Sequence, residues 1–161
     1  MPSILFVCTA NICRSPMAEG VFRKILRDRG AEEGFELDSA STHEFRTGEA
    51  PAPKAVETAG KRGYDITSCV SRCIGGRDFE HFDMILAMDR ANVASIRTIA
   101  PTRSKQRIEL LTEYSEAFHG KDIADPFGRA DKDFDAALDM IEDACKGLAD
   151  VLVRPSRAGS K

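Results

Sequence analysis

A cysteine and an arginine with five residues between them follow the first apolar run of the sequence. The run from Ile4 to Val7 leads into Cys8, and Arg14 and Ser15 come after residues 9–13. A loop of this length can aim its backbone N–H groups at one anion, while the next helix adds its positive N-terminal end. Phosphate fits such a cradle, so the spacing predicts a phosphate-binding loop after the first strand.

The side chains of this loop predict nucleophilic chemistry. Cys8 lies at the centre of the predicted concavity, where N–H dipoles and the charge of Arg14 stabilise a thiolate. The planar guanidinium of Arg14 can bind two phosphoryl oxygens and attract charge that develops in the transition state. Ser15 can donate a hydrogen bond to the thiolate, and Asn11 tolerates a left-handed backbone and can pin the loop. The alternative interpretation of Cys8 is a plain buried thiol.

Two further residues have both a chemical and a structural interpretation. Cys13 is either a small core residue or a partner that captures oxidised Cys8 in a disulfide. A route through phosphocysteine also needs a proton for the leaving oxygen, so a carboxylic acid must reach the pocket. Asp125 is one candidate, because Pro126 restricts it to an extended conformation in an irregular loop, but an Asp-Pro pair is more often a turn. The residues alone do not single it out among the 26 acidic residues.

Short apolar segments alternate with segments of helical periodicity along the chain. The run from Asp83 to Ala87 is the strongest buried-strand pattern, and Asp89 after it caps a predicted helix. This alternation predicts an α/β fold, a single doubly wound domain with a central four-stranded parallel sheet flanked by helices and with ligands at the carboxyl ends of its strands. The predicted strands are residues 4–7, 35–40, 83–87 and 107–111, and the predicted helices are residues 16–29, 53–62, 90–99 and 134–153.

Length, charge and cysteine count limit the class of protein. A chain of 161 residues predicts one domain, residues 1–153, followed by a flexible C-terminal tail, residues 154–161. The formal charge is 23 − 26 = −3, which predicts no general binding to nucleic acid or to a membrane. The five cysteines are odd in number and irregularly spaced. They argue against a disulfide scaffold and favour a cytoplasmic protein.

These residues closely resemble the low-molecular-weight protein tyrosine phosphatases, over nearly the whole chain. The resemblance implies hydrolysis of phosphotyrosine through a phosphocysteine, without metal or cofactor. Its implied partner is a phosphotyrosine-containing protein, either a tyrosine kinase or a host protein reached by secretion, and the enzyme itself is expected to be a monomer or to self-associate weakly. The segments that carry the resemblance are Ile4-Leu5-Phe6-Val7-Cys8, Asn11-Ile12-Cys13-Arg14-Ser15-Pro16-Met17-Ala18-Glu19, Asp38-Ser39-Ala40, Ile85-Leu86-Ala87-Met88-Asp89, Asp125-Pro126 and the last helix.

The resemblance also assigns roles to individual residues. Cys8 is the implied nucleophile and Arg14 binds phosphate and stabilises the transition state. Asp125 is the implied general acid, which later activates water as a base. The implied supporting and binding residues are Asn11, Ser15 and Ser39 in a hydrogen-bond network, Phe45 and Phe127 as walls of a slot for a flat aromatic group, and Thr9, Ala10, Ile12 and Cys13 in the phosphate-binding loop.

The sequence departs from the family pattern at three places. Thr9-Ala10 stands where the family commonly has a hydrophobic residue and a glycine. Cys69 stands where many members carry a histidine that supports the loop, so we expect that support to be weaker or differently made. Phe127-Gly128 replaces the tyrosine pair of eukaryotic members and is typical of the bacterial branch. Regulation by phosphorylation of that pair is therefore not expected.

Several alternative functions share parts of this pattern. Arsenate reductases of the same fold carry resolving cysteines after the third strand, where this chain has Met88 and Asp89. Protein-arginine phosphatases resemble the motif with threonine in place of Ile12, so Ile12 favours phosphotyrosine. A binding module without activity is disfavoured because the nucleophile, arginine and acid are all present. A zinc site would have to use residues whose spacing matches no common pattern: Cys69, Cys73, His81 and Cys145.

Overall fold

The computed structural model describes residues 1–104 and 106–153, so the predicted tail, residues 154–161, lies outside the described residues. The strands are β1 (Ser3–Cys8), β2 (Glu36–Ser41), β3 (Met84–Ala87) and β4 (Arg107–Leu110). They form one parallel sheet in the order β2-β1-β3-β4. The helices are α1 (Arg14–Asp28), α2 (Pro53–Lys61), α3 (Asp78–His81), α4 (Arg90–Ile99) and α5 (Asp131–Leu152).

The central strand β1 buries side chains on both faces of the sheet. Ile4 and Phe6 belong to the cluster packed against α1, α2 and α5, whereas Leu5 and Val7 belong to the cluster packed against α3 and α4. Successive side chains of a strand point to opposite faces, so a strand covered on both sides is apolar throughout. The predicted doubly wound α/β fold is confirmed, and none of the described helices is long and apolar enough to cross a membrane.

Most element boundaries differ from the sequence prediction by one to three residues, and one short helix, α3, was not predicted. Helix α5 begins at Asp131, before the predicted start at Phe134, because the Asp133 carboxylate accepts a hydrogen bond from the Ala130 N–H at 3.1 Å. Its first turn is polar and carries no apolar periodicity. Helix α1 begins at Arg14 rather than at Pro16, and α3 is too short to show a helical period at all.

The crossover connections bring three sequence-distant segments to one edge of the sheet. The carboxyl ends of β1, β2 and β3 lie side by side there, as the register of Val7 with Ala40 and with Ala87 shows. Ligand sites of open α/β sheets form at this edge. Cys8 at the end of β1 and Asp89 after β3 are therefore neighbours in space.

Candidate active site

The segment between β1 and α1 folds around the thiol of Cys8. Asn11 adopts a left-handed backbone with φ of 59°, and its N–H donates to Cys8 Sγ at 3.2 Å. The Ser15 hydroxyl lies 3.0 Å from the same sulfur. The Asn11 N–H places a positive hydrogen on the sulfur, and the Ser15 hydroxyl can donate a second one to a thiolate.

A network of hydrogen bonds holds the loop from behind. The Asn11 side-chain amide donates to Ser15 Oγ at 2.7 Å and to Ser39 Oγ at 3.0 Å. Its Oδ1 accepts from the Arg72 N–H at 3.1 Å. The Ser71 hydroxyl donates to the Ala10 carbonyl at 2.9 Å. The loop is thereby tied to β2 and to the segment before α3.

Cys69 contacts the largely buried carboxylate of Glu19. Its Sγ lies 3.8 Å from Glu19 Oε1, while Arg23 lies 3.0 Å from the other carboxylate oxygen of Glu19. Burial raises the pKa of Glu19, and burial together with the charge of Glu19 raises the pKa of the Cys69 thiol to about 12. Cys69 is therefore a neutral thiol donor. Among the described residues, the loop is supported by hydrogen bonds from residues 71 and 72, while Cys69 pairs with Glu19.

Arg14 belongs to a closed ring of hydrogen bonds and is 1% exposed. Its Nη1 donates to Asp89 Oδ2 at 2.6 Å and to the Ile123 carbonyl at 2.8 Å. Its Nη2 donates to Thr9 Oγ1 at 3.4 Å. The Asn92 side chain donates to the same Thr9 oxygen at 3.1 Å, and its backbone N–H donates to Asp89 Oδ1 at 2.8 Å. The ring fixes the plane of the guanidinium.

The charge of Arg14 is available to an anion in the pocket. Burial opposes the charged form, but the Cys8 thiolate and Asp89 outweigh it, so the pKa of Arg14 is raised. Within the described residues, the Nε of Arg14 is buried and finds no hydrogen-bond partner. A buried donor without a partner is costly. A bound oxyanion would satisfy it.

The loop and two distant segments enclose a cavity of about 110 Å³. Asp125 stands at its mouth with the carboxylate 49% exposed, and its Oδ2 lies 3.9 Å from Arg14 Nη2. The other carboxylate oxygen accepts from the Phe127 N–H at 3.1 Å, which orients the group. The lining residues are Cys8, Thr9, Ala10, Ile12, Cys13, Arg14, Phe45, Arg46, Asp125 and Phe127.

The two phenylalanines at the mouth are exposed although they are apolar. Phe45 is 64% exposed and Phe127 is 47% exposed. Exposed aromatic faces beside a cavity that contains a buried cation suit an anionic ligand with a flat ring. The structure therefore gathers the predicted pocket residues at one site, and the side chains of Asn11, Ser15 and Ser39 form the hydrogen-bond network that holds the loop.

The cysteines other than Cys8 have separate surroundings. All five cysteines are free thiols. Burial and the charge of Cys8 raise the pKa of Cys13 to about 12, so Cys13 is protonated at neutral pH. Cys73 faces the Thr42 carbonyl and Cys145 the Ala18 carbonyl, each at 3.8 Å. Across residues 1–104 and 106–153, no group of three or more potential ligands is arranged to hold a metal ion.

Comparison with known proteins decides the family. Residues 3–158 match the family model described as low molecular weight phosphotyrosine protein phosphatase. The chain belongs to this family. The family consists of hydrolases, and the predicted resemblance is confirmed.

Relatives and solved structures agree along nearly the whole chain. A low molecular weight protein-tyrosine-phosphatase of Streptomyces coelicolor is 36% identical over 148 residues, which are 90% of each chain. YfkJ of Bacillus subtilis, a phosphatase of the same description, is 33% identical over 92% of this chain and 94% of its own. A protein tyrosine phosphatase structure from Entamoeba histolytica superposes with a TM-score of 0.90 at 33% identity, covering 94% of this chain and 97% of that one.

Sequence reasoning missed three residues of the phosphatase site. Asp89 was interpreted only as a helix cap, whereas its second oxygen binds Arg14. Its position after β3, next to β1, was the available signal, because neighbouring parallel strands end at one edge. Asn92 and Arg46 carried no comparable signal, since one lies within a helix and the other in a polar loop.

Proposed function

We propose that the protein hydrolyses phosphotyrosine in proteins through a phosphocysteine formed on Cys8. The observation that carries this proposal is the position of Cys8 Sγ, which receives the Asn11 N–H and the Ser15 hydroxyl at the floor of a cavity beside buried Arg14. The thiolate and the positive charge are thus held where one phosphoryl group fits. The phenylalanines at the mouth offer apolar faces to a phenol ring, which phosphoserine lacks.

In the first step Cys8 Sγ attacks phosphorus and the bond to the phenolic oxygen breaks. The leaving oxygen takes a proton from the carboxyl group of Asp125, which stands at the mouth on the side where the ring would leave. Arg14 Nε and Nη2 bind the equatorial oxygens, and its fixed plane suits the charge that grows there. The backbone N–H groups of residues 9–13 supply further donors.

In the second step water attacks the phosphocysteine. The Asp125 carboxylate takes a proton from that water, and the thiolate of Cys8 leaves as phosphate forms. The Ser15 hydroxyl donates a hydrogen bond to the departing thiolate and keeps its proton. No step calls for a metal or an organic cofactor, since Cys8 supplies the nucleophile and Arg14 the positive charge.

The biological setting of this activity is proposed from the same family membership. We infer a domain of residues 1–153 that acts in the cytoplasm, as a monomer or with weak self-association. Its substrate is a phosphotyrosine-containing protein, and a tyrosine kinase is the candidate partner. Neither nucleic acid nor a membrane is part of this proposal.

A panel of matched substrates tests the proposed activity. Phosphate release is measured from peptides of one sequence that carry phosphotyrosine, phosphoserine or phosphoarginine, alongside arsenate reduction with thioredoxin. We expect fast release from phosphotyrosine alone. Turnover of phosphoarginine or arsenate without turnover of phosphotyrosine would contradict the proposal. It would indicate that Cys8 acts on that other substrate instead.

A further inference from the structure

Arg46 projects from the loop after β2 and contacts both aromatic side chains at the mouth. Its guanidinium carbon lies 5.0 Å from the centre of the Phe127 ring and 6.0 Å from the centre of the Phe45 ring. Arginine stacks on aromatic faces while its N–H groups remain free at the edge of the plane. The side chain is 35% exposed and also lines the cavity. The cation is therefore held in place at the entrance.

The charge of Arg46 is only weakly engaged. It lies 3.3 Å from Glu49, whose side chain is itself half-exposed. Surface pairs of this kind contribute little and exchange readily with another carboxylate. Arg14, the other cation of the cavity lining, is buried and bound to Asp89. Of the two arginines that line the cavity, Arg46 is therefore the one that is exposed to solvent.

A peptide that places phosphotyrosine on Cys8 must cross this entrance. Its ring lies between the phenylalanines, so the residues next to the phosphotyrosine pass the guanidinium that those rings hold. We propose that Arg46 is a specificity-determining residue, which pairs with an acidic side chain beside the phosphotyrosine and gives the enzyme a preference for acidic phosphotyrosine sites. This inference rests on the proposed function and narrows its substrate class.

One charge at the mouth works against this preference. The Asp125 carboxylate is exposed on the same cavity and repels an acidic peptide. However, Asp125 Oδ2 lies 3.9 Å from Arg14 Nη2, on the inner side of the mouth. Arg46 lies on the outer side, against the ring of Phe127. Because a solvent-exposed pair is worth little, we expect an acidic neighbour to raise kcat/KM by about threefold. The effect must fall as salt screens the pair.

The test compares kcat/KM for three phosphotyrosine peptides that carry alanine, glutamate or lysine on both sides of the phosphotyrosine. The wild-type enzyme should prefer the glutamate peptide over the alanine peptide by about threefold at low ionic strength. Arg46→Gln should remove the preference, and Arg46→Glu should reverse it toward the lysine peptide. Ratios between peptides are compared within each variant, so a change in overall turnover does not disturb the result.

Arg103→Gln is the matched control for net charge. Arg103 is exposed and lies beside Phe82 and Asp83, at the opposite end of the sheet, so this variant should keep the wild-type preference. The same glutamate-to-alanine ratio in wild type and Arg46→Glu would overturn the inference and leave the proposed function standing. Absence of turnover on all three peptides would overturn both.

Discussion

Arg14 and Asp89 join the loop after β1 to the start of α4 through a contact of 2.6 Å between Nη1 and Oδ2. The other oxygen of Asp89 accepts from the Asn92 N–H and caps the helix. One carboxylate therefore fixes a helix and the guanidinium that binds phosphate in the proposed mechanism. A geometry set in this way before substrate arrives needs little reorganisation during the reaction.

Replacement of Asp89 by asparagine should lower kcat. The charge-assisted bond to Arg14 is lost, and such bonds contribute about 1.5–3 kcal/mol, which corresponds to roughly a 10- to 100-fold loss of rate. The measurement is steady-state hydrolysis of an aryl phosphate. Asp122→Asn is the control, because Asp122 pairs with Arg90 at the surface at 3.2 Å. Equal activity of the two variants would mean that Asp89 does not position Arg14.

Replacement of Asp125 by asparagine should depress the rate most for poor leaving groups. A phenol of high pKa needs a proton as it leaves, whereas an activated phenol leaves without one. The measurement is kcat/KM for a series of aryl phosphates that differ only in the ring substituent. A uniform loss across the series would remove Asp125 from the role of general acid.

We expect Cys13 to capture oxidised Cys8 in a disulfide, so inactivation by mild peroxide should be reversible by thiol. Burial and the Cys8 charge raise the pKa of Cys13 to about 12, so its thiolate fraction grows about tenfold per pH unit below that value. Disulfide formation should therefore speed up as the pH rises. Cys13→Ser should make the loss of activity largely irreversible to thiol. Full recovery of that variant would leave Cys13 as a core residue.

Ionisation of the Glu19 carboxyl group should lower the free energy of unfolding as the pH rises. Burial raises the pKa of its carboxyl group in the folded state, so the folded state binds the proton more tightly than the unfolded state. The stability that this group contributes is full below its unfolded pKa and is lost as the pH rises through the folded pKa.

Urea unfolding at several pH values measures this dependence. The free energy of unfolding of Glu19→Gln should fall less than that of the wild type as the pH rises from 4 to 7. Glu57→Gln is the control because Glu57 is exposed and pairs only with Lys61, at 3.9 Å, among the described residues. Parallel profiles for the wild type and Glu19→Gln would contradict the prediction.

The sequence predicted those features that depend on neighbouring residues. Strand β1 and the loop to Arg14 are continuous in the chain, and the left-handed backbone of Asn11 follows from a residue type that tolerates it. Helix α4 was predicted with its correct bounds, because Asp89 is a local cap.

Features that depend on distant contacts could not be predicted in the same way. The partners Arg14 and Asp89 are 75 positions apart, and only the sheet order brings them together. Arg46 is one of 23 basic residues, and its place over Phe127 depends on how two separate loops fold. Asp125 was singled out by resemblance alone, since an Asp-Pro pair has no chemical signature of its own.

The most direct test of the account is to trap the phosphocysteine. Asp125→Asn is mixed with an activated aryl phosphate, quenched within the first turnover, and the peptide that contains Cys8 is examined by mass spectrometry. In this variant the first step still proceeds, because an activated phenol leaves without a proton. The second step lacks the base that activates water, so the phosphocysteine should accumulate. The account predicts one phosphoryl group on Cys8 and none after the further change Cys8→Ser. Phosphate release without a phosphorylated Cys8, or with the group on another residue, would contradict it.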